Sequence, residues 1–112
     1  MTVYVDAVRH PYGRMIMCHM SADTADELHA MADAIGVAHR WFQKPPKASW
    51  EHYDISLSRE ADAIRRGAVL TDRFAPVEHL ARLDIASGDR GRLVRGVRQM
   101  ARVSESRARR AA

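Results

Sequence analysis

Residues 9 to 23 read RHPYGRMIMCHMSAD, the densest group of chemically reactive side chains in the chain. Pro11 and Gly13 favour a turn, so we interpret residues 7 to 14 as a loop. Met15 to Ser21 follows as a strand, because its apolar residues suit a pleated, half-buried surface. The alternation of a strand puts His19 on one face and its neighbour Cys18 on the other. The stretch therefore predicts a loop and then a strand whose two faces differ in character.

A helix from Thr24 to Ile35 is the next element outward. Thr24 and Glu27 have the spacing of a capping box, in which each side chain bonds the other residue's backbone N–H. The apolar positions of the segment recur at helical spacing, namely Leu28, Met31, Ala32 and Ile35. Gly36 follows at the position where a left-handed residue ends a helix. This segment predicts an amphipathic helix that packs against the strand.

The rest of the first 86 residues alternates between short strand and helix patterns. We expect strands at 2–6, 37–42, 52–56 and 68–71, and a helix at 59–66 that begins after Ser58 and ends at Gly67. A helix lying between two strands favours a right-handed β-α-β crossover. The sequence therefore predicts a small α/β domain of two or three layers, with a short, mostly parallel sheet that contains a β-α-β unit.

The C-terminal part is helical and basic. Pro76 suits the first turn of a helix that runs to about residue 83, and residues 86 to 88 read as a hinge. From Asp89 an amphipathic helix follows, and the tail after Val103 is expected to be disordered. Its apolar face is formed by Leu93, Val97 and Met100, and its basic face by Arg95, Arg98 and Arg102. We therefore divide the chain into a compact α/β domain, 1–86, and an Arg-rich helix and tail, 87–112.

Charge is distributed unevenly over the 112 residues. Residues 1 to 89 carry a net charge of −3, whereas residues 90 to 112 carry +7. Such asymmetry predicts an anionic partner, and Arg95, Arg98 and Arg102 are the candidate nucleic-acid contacts. The alternative is a solvated helix that keeps the protein soluble. A third reading is that the apolar face of the helix forms a homodimer or docks on another protein.

Cysteine content and hydropathy bear on the compartment. Cys18 is the one cysteine, so no internal disulfide can form. No signal peptide and no apolar run long enough to cross a bilayer are evident, so we expect a cytoplasmic protein with no membrane partner. Cys18 itself is expected to be buried as a small hydrophobic residue, because His19 points to the other face of the strand.

Two segments carry histidine and aspartate at strand spacing. His52 and Asp54 share one strand face, as do His19 and Asp23. If the two strands are neighbours, these four side chains converge and suit a divalent metal such as Zn, Mn or Fe(II). His19, His52 and Asp54 equally suit acid/base catalysis. The remaining alternative is that the histidines hydrogen-bond loop backbone and order the fold.

The turn before the strand carries a different kind of group. Arg9, His10 and Arg14 flank Pro11 and Gly13, and arginine binds phosphate or carboxylate through two parallel hydrogen bonds. These three residues are the candidate anion-binding site. The alternative is that Arg9 pairs with Asp6 or Asp54 and holds the loop.

The order of these motifs resembles a bacterial and phage family known as domain of unknown function 4031. The resemblance covers about residues 2 to 70 and rests on RHPxGR, CHM, ADTxxELHAMA, IGV and HYDI. The family's motif positions fall on Asp6, Arg9, Pro11, Gly13, His19, Asp23, Leu28, His29, Gly36, His52, Tyr53 and Asp54. The resemblance implies that the two histidine-containing segments form one site, but it implies no reaction.

Three functions are compatible with these patterns. One is a hydrolase acting on a nucleotide or nucleic acid, in which the arginines hold phosphate and the His/Asp group does acid/base or metal chemistry. The second is a nucleic-acid-binding module without enzyme activity that uses the basic helix. The third is an accessory factor that docks on a protein partner through Leu93, Val97 and Met100.

Overall fold

The computed structural model describes residues 2–48 and 50–111. It divides into two compact units, Met1–Arg73 and Phe74–Ala112. The second unit begins at Phe74, and within it the helix that follows Arg73 packs on the C-terminal helix.

The first unit has mixed α/β structure, which confirms the predicted fold class. Its strands are β1 (Val3–Asp6), β2 (His10–Tyr12), β3 (Met15–Ala22), β4 (Tyr53–Ser56) and β5 (Val69–Thr71). Its helices are α1 (Ala25–Ile35), α2 (Leu57–Arg65) and a short 3-10 turn, His39–Trp41.

Strand β3 is the centre of the five-stranded sheet. Met17 pairs with His10 of β2 and with Ser56 of β4, and Met20 pairs with both β1 and β4. Strands β1 and β2 therefore lie along one edge of β3, and β4 lies along the other. All three pair antiparallel with β3, whereas β1 and β5 pair in parallel.

The sheet is thus mostly antiparallel, where the sequence had suggested a mostly parallel one. One reason is that residues 10 to 12 form a strand and not a loop. Tyr12 pairs with Met15 across a two-residue turn, in which Gly13 has a φ of 60°. A turn this short joins only antiparallel strands.

The expected strand at residues 37–42 is also wrong, because its centre is the 3-10 turn. The backbone N–H groups of Trp41 and Phe42 bond within this turn, and the chain returns to the sheet at Gln43, through an isolated bridge to His52. The parallel neighbour of β1 is instead β5, which the chain reaches after α2.

Helix α1 begins and ends as predicted. The Thr24 side chain accepts a hydrogen bond from the Glu27 N–H, and Gly36 adopts the left-handed conformation with φ 78°. Helix α2 begins earlier than predicted, because Ser56 caps it instead of Ser58. Its residue Ala63 is buried in the core, and Ile64 is exposed.

The core lies between one face of the sheet and the two helices. Val5, Cys18, Met20, Tyr53 and Ile55 from the sheet pack with Leu28, Ala32, Ile35 and Ala63 from the helices. Each of these side chains is buried, and together they place the apolar positions of β1, β3 and β4 on the same face. The alternate positions of these strands therefore point away from the core.

The second unit is a pair of helices, α3 (Ala75–Ala86) and α4 (Arg90–Ala111). Gly96 and Val103 are the buried residues of α4. Helix α4 continues to Ala111, so the prediction of a disordered tail after Val103 is wrong. An ion pair between Arg107 and Glu78 of α3 stabilises these last turns. None of the helices in the described residues is long and apolar enough to cross a membrane.

Candidate metal centre on the polar face of the sheet

Strand register brings four polar side chains to the face of the sheet opposite the core. Asp54 pairs directly with His19, and His10 pairs with Met17, two residues before His19. Because residues two apart in a strand share a face, His10, His19 and Asp54 point the same way. His52 lies two residues before Asp54, so its side chain is on the same face. Its backbone is held by an antiparallel bridge to Gln43.

One carboxylate oxygen is the centre of this cluster. Asp54 Oδ1 lies 3.8 Å from His10 Nε2, 3.7 Å from His19 Nε2 and 3.5 Å from His52 Nε2. One ligand atom from each of His10, His19 and Asp54 lies within 4.8 Å of the other two. These separations exceed ordinary hydrogen-bond lengths. Accordingly, His10 Nε2 and Asp54 Oδ1 are buried without a hydrogen-bond partner among the described residues, which is uncommon for buried polar atoms.

Neighbouring groups determine which ring nitrogen faces the cluster. His19 Nδ1 lies 2.7 Å from Asp6 Oδ2, and His52 Nδ1 lies 3.0 Å from the Trp50 carbonyl oxygen. Carboxylate and carbonyl oxygens are acceptors, so each Nδ1 carries the proton and donates it. In the neutral form of each ring, Nε2 then has the lone pair that a metal ion in the cluster would bind. A carboxylate behind a histidine in this way is typical of metal-binding histidines.

The electrostatics of the cluster favour an ionised carboxylate. Burial alone would raise the pKa of Asp54, but the adjacent His52 and the hydrogen bond from Gln43 outweigh it, and the pKa falls to about 2. The hydrogen bond to Asp6 raises the pKa of His19, which burial alone would lower. Asp54 is therefore negatively charged at neutral pH and is ready to bind a cation.

The spacing of these atoms suits a small metal ion. Zinc binds histidine nitrogen and carboxylate oxygen at about 2.0–2.1 Å, which in a tetrahedron separates ligand atoms by roughly 3.3 Å. The observed 3.5 to 3.8 Å from Asp54 Oδ1 to the histidine nitrogens is close to this value. Three ligands from His10, His19 and Asp54 leave a fourth position open, as in catalytic zinc sites.

Aromatic rings enclose the histidines. Trp50 stacks on His52 with 4.3 Å between ring centroids, and His10 stacks on His19 at 5.0 Å. Trp50 also meets His19 edge-on. These contacts restrict the imidazole rings and so preorganise the donor atoms.

A cleft of about 530 Å³ adjoins the cluster. His10 and Asp54 form part of its wall, so a molecule in the cleft can reach the candidate metal ligands. The remaining wall includes the 3-10 turn, the start of β3 and the C-terminal end of α1.

Three of the four predicted metal ligands, His19, His52 and Asp54, lie together in the structure. Asp23 lies elsewhere, where it accepts hydrogen bonds from the Tyr4 hydroxyl and the Thr2 N–H. Asp23 comes four positions after His19 along an extended chain, which places the two residues roughly 13 Å apart. The role of His19, His52 and Asp54 in catalysis stays a prediction.

The three predicted anion-binding residues have separate surroundings. Arg9 forms a two-point ion pair with the buried Glu60, at 3.0 and 3.2 Å, where the alternative reading had Asp6 or Asp54 as its partner. Arg14 is exposed at the β2–β3 turn. His10 belongs to the cluster instead, so its candidate role is that of a metal ligand. Anion binding by Arg9 and Arg14 stays a prediction.

Sequence reasoning missed His10 as a ligand because it treated residues 7–14 as a loop. The signal was available in the Tyr-Gly-Arg-Met sequence, where Gly at the first position of a two-residue turn predicts a hairpin. Asp6 entered the sequence analysis only as an alternative partner of Arg9 and as a family motif position, whereas it is 2% exposed and bonds both Nδ1 and the backbone N–H of His19.

The C-terminal candidates lie on α4. Arg95 is paired with Asp84 of α3, while Arg98 and Arg102 are exposed. Leu93 and Val97 are 42% and 54% exposed, so they do not form the buried face of the helix pair. Nucleic-acid contact and docking through these residues both stay predictions.

Comparison with known proteins yields one match. The family described as "Protein of unknown function (DUF4031)" matches residues 3–83, a range that includes Asp6, His10, His19, His52 and Asp54. Searches of curated proteins and of solved structures found no match. Because the match covers more than half of the chain, the chain belongs to the DUF4031 family.

Proposed function

We propose that this protein is a metal-dependent hydrolase that acts on a phosphate-containing substrate. The observation that carries the proposal is the approach of three histidine Nε2 atoms to Asp54 Oδ1, at 3.5 to 3.8 Å, without hydrogen bonds among them. A metal ion bound by His10, His19 and Asp54 would satisfy the two buried atoms that have no partner.

The donor set favours a transition metal. Neutral imidazole suits Zn and Fe(II), whereas Mg²⁺ prefers oxygen ligands and keeps several waters. The net charge of a divalent cation with one carboxylate is positive, which suits an anionic substrate. Zinc is therefore the first metal to test.

The chemistry follows from the open ligand position. A divalent metal held by His10, His19 and Asp54 would lower the pKa of a coordinated water toward neutrality and would polarise a phosphoryl oxygen. His52 Nε2 lies 3.5 Å from the same oxygen of Asp54 that the other two histidines approach. In its neutral form, His52 would accept a proton at Nε2 or would be a fourth ligand of the metal. A cytoplasmic location remains part of this proposal.

The test is metal analysis of the purified protein. We expect about one zinc per chain, with His10→Ala and His19→Ala variants losing most of it, because each removes one of three ligands. His39→Ala is the matched control, since His39 is exposed and pairs with Asp33 outside the cluster. Hydrolysis of p-nitrophenyl phosphate should disappear with a chelator and return with zinc.

Two results would contradict the proposal. One is a wild-type protein that neither contains metal nor binds zinc, manganese or iron(II) in a titration. The other is hydrolysis that survives both chelation and the His19→Ala substitution.

A second candidate function is nucleic-acid binding by α4. Residues 90–112 carry a net charge of +7, and Arg98 and Arg102 are exposed on the helix. Phosphate contacts of this kind supply affinity without sequence preference. The two functions are compatible, because they use different residues.

A further inference from the structure

The cleft beside the cluster has the size and lining of a small-molecule site. Its volume of about 530 Å³ lies within the range of roughly 300–1,000 Å³ typical of ligand pockets. Its wall contains His10 and Asp54 at one place and Arg40 and Trp41 at another. A single bound molecule can therefore contact both the candidate metal ligands and the 3-10 turn.

The 3-10 turn contributes a cation to this wall. Arg40 is exposed, and none of the side chains in residues 2–48 and 50–111 forms an ion pair with it. Arg59, also in the wall, donates to the Ile35 carbonyl oxygen and adds a second positive charge. Asp54 is the acidic residue of the lining. The cleft therefore favours an anion, and arginine binds phosphate particularly well.

The same turn contributes an aromatic surface. Trp41 is 54% exposed, and Tyr12, which is also in the wall of the cleft, is 67% exposed. Large aromatic side chains left this open offer flat apolar surfaces on which a planar ring can stack. The Arg40 guanidinium lies 5.2 Å from the centroid of the Trp41 ring, so the cation and the aromatic surface are adjacent.

Backbone hydrogen bonds hold the turn in place. The Trp41 N–H donates to the Ala38 carbonyl at 3.1 Å, and the Phe42 N–H donates to the His39 carbonyl at 3.0 Å. The turn follows directly on the end of α1, where the Val37 N–H donates to the Ala32 carbonyl. Arg40 and Trp41 therefore project from an ordered segment, which reduces the entropy lost on binding.

We infer that the cleft binds a phosphate monoester that carries a planar ring, namely a nucleoside monophosphate. Arg40 pairs with the phosphate, and Trp41 contacts the ring. The inference deepens the proposed function, because it names the substrate class of the same site. Binding itself depends on Arg40 and Trp41 and not on the metal ligands, so it can be measured separately.

Calorimetric titration of the full chain tests this inference, with and without zinc. AMP, adenosine and ribose 5-phosphate are the probes. Adenosine lacks the phosphate, and ribose 5-phosphate lacks the planar base. We expect AMP to bind at least tenfold more tightly than either. Arg40→Gln should weaken AMP binding at least tenfold, because it removes a charged hydrogen bond to the phosphate, and should leave adenosine binding unchanged. Trp41→Ala should weaken the binding of AMP and the binding of adenosine by similar factors.

Arg65→Gln is the matched control, because Arg65 is an exposed arginine of the same unit that pairs with Asp62 outside the cleft. Its AMP affinity should equal that of the wild type. Ribose 5-phosphate or adenosine binding as tightly as AMP, or an Arg40→Gln variant with unchanged AMP affinity, would overturn the inference. Tighter binding of a 5′-phosphorylated dinucleotide than of AMP would overturn the assignment to a mononucleotide.

The two proposals fail in different ways. If the protein binds AMP through Arg40 but takes up no metal, the ligand assignment stands and the hydrolase proposal falls. If it holds one zinc but does not bind AMP, the ligand assignment falls and the metal centre stands.

Discussion

At the scale of single residues, Asp6 has the most specific task. It is almost fully buried, and its Oδ1 accepts hydrogen bonds from the backbone N–H groups of His19 and Val8. Its Oδ2 lies 2.7 Å from His19 Nδ1. The carboxylate therefore fixes the His19 ring with Nε2 toward Asp54. Cys18, the residue before His19, is buried in the core, and burial raises its thiol pKa, which disfavours the reactive thiolate.

We predict that Asp6→Asn lowers zinc affinity by about 10- to 100-fold while the fold is kept. The asparagine oxygen still accepts from the two backbone N–H groups. Its NH₂ group, however, donates to His19 Nδ1 and moves the ring proton to Nε2, which then cannot bind metal. Zinc affinity is measured by competition with a chromophoric chelator.

Asp23→Asn is the control for this substitution. Asp23 is also hydrogen-bonded to a side chain and a backbone N–H, but outside the cluster. Its zinc affinity should match that of the wild type. Equal losses in both variants would mean that Asp6 acts through general stability.

At the scale of elements, the close packing of α3 on α4 depends on Gly96. A Cβ atom added there would lie 2.6 Å from the Ala81 carbonyl oxygen and 2.9 Å from Ile85 Cγ1. The first contact is with backbone, so a side-chain rotation cannot relieve it. Val103, seven residues after Gly96 and so on nearly the same face of α4, is also buried, whereas Leu93 is exposed. The small residue therefore selects which face of α4 is buried.

We predict that Gly96→Ala lowers the free energy of unfolding by about 1–3 kcal/mol through overpacking. This loss exceeds the gain of up to about 1 kcal/mol in helix propensity that alanine brings. Gly91→Ala is the matched control in the same helix, because its nearest atom is a side-chain oxygen at 3.4 Å. That variant should be unchanged or slightly more stable. Urea unfolding followed by circular dichroism measures both, and a stabilised Gly96→Ala would contradict the packing argument.

At the scale of the whole molecule, the two candidate binding sites lie in parts of the sequence that have opposite net charge. Residues 90–112 carry +7 and residues 1–89 carry −3. Part of the positive charge is already used, because Asp84 accepts hydrogen bonds from Arg92 and Arg95. The exposed arginines that remain set the strength of any nucleic-acid contact.

We predict that the double substitution Arg98→Gln/Arg102→Gln weakens binding to DNA uniformly across sequences. The slope of log affinity against log salt should become shallower by about 2, since each arginine neutralises one phosphate. Arg65→Gln/Arg66→Gln removes the same charge from α2, where both residues pair with Asp62, and should leave the slope unchanged. Equal effects of the two double variants, or a wild-type slope of zero, would argue against contact through α4.

Much of the local structure of this chain could be predicted from sequence. Thr24, Glu27 and Gly36 specify the ends of α1 because caps and stops depend on residues within a few positions of one another. The alternation in β3 likewise predicts that His19 and Cys18 face opposite ways. The same period places His52 and Asp54 on one face, so a neighbouring pair of His/Asp segments could be proposed before the fold was known.

Only the tertiary structure decided how these elements pair. His10 joins the cluster because residues 10–12 fold back on β3. Asp23 lies outside the cluster because of the length of strand between it and His19. The chain also folds residues 39–41 into a 3-10 turn, which puts Arg40 and Trp41 in the wall of the cleft. The physical reason is that a period or a cap is a property of residues close together in the chain, whereas strand pairing joins segments that are far apart in the sequence.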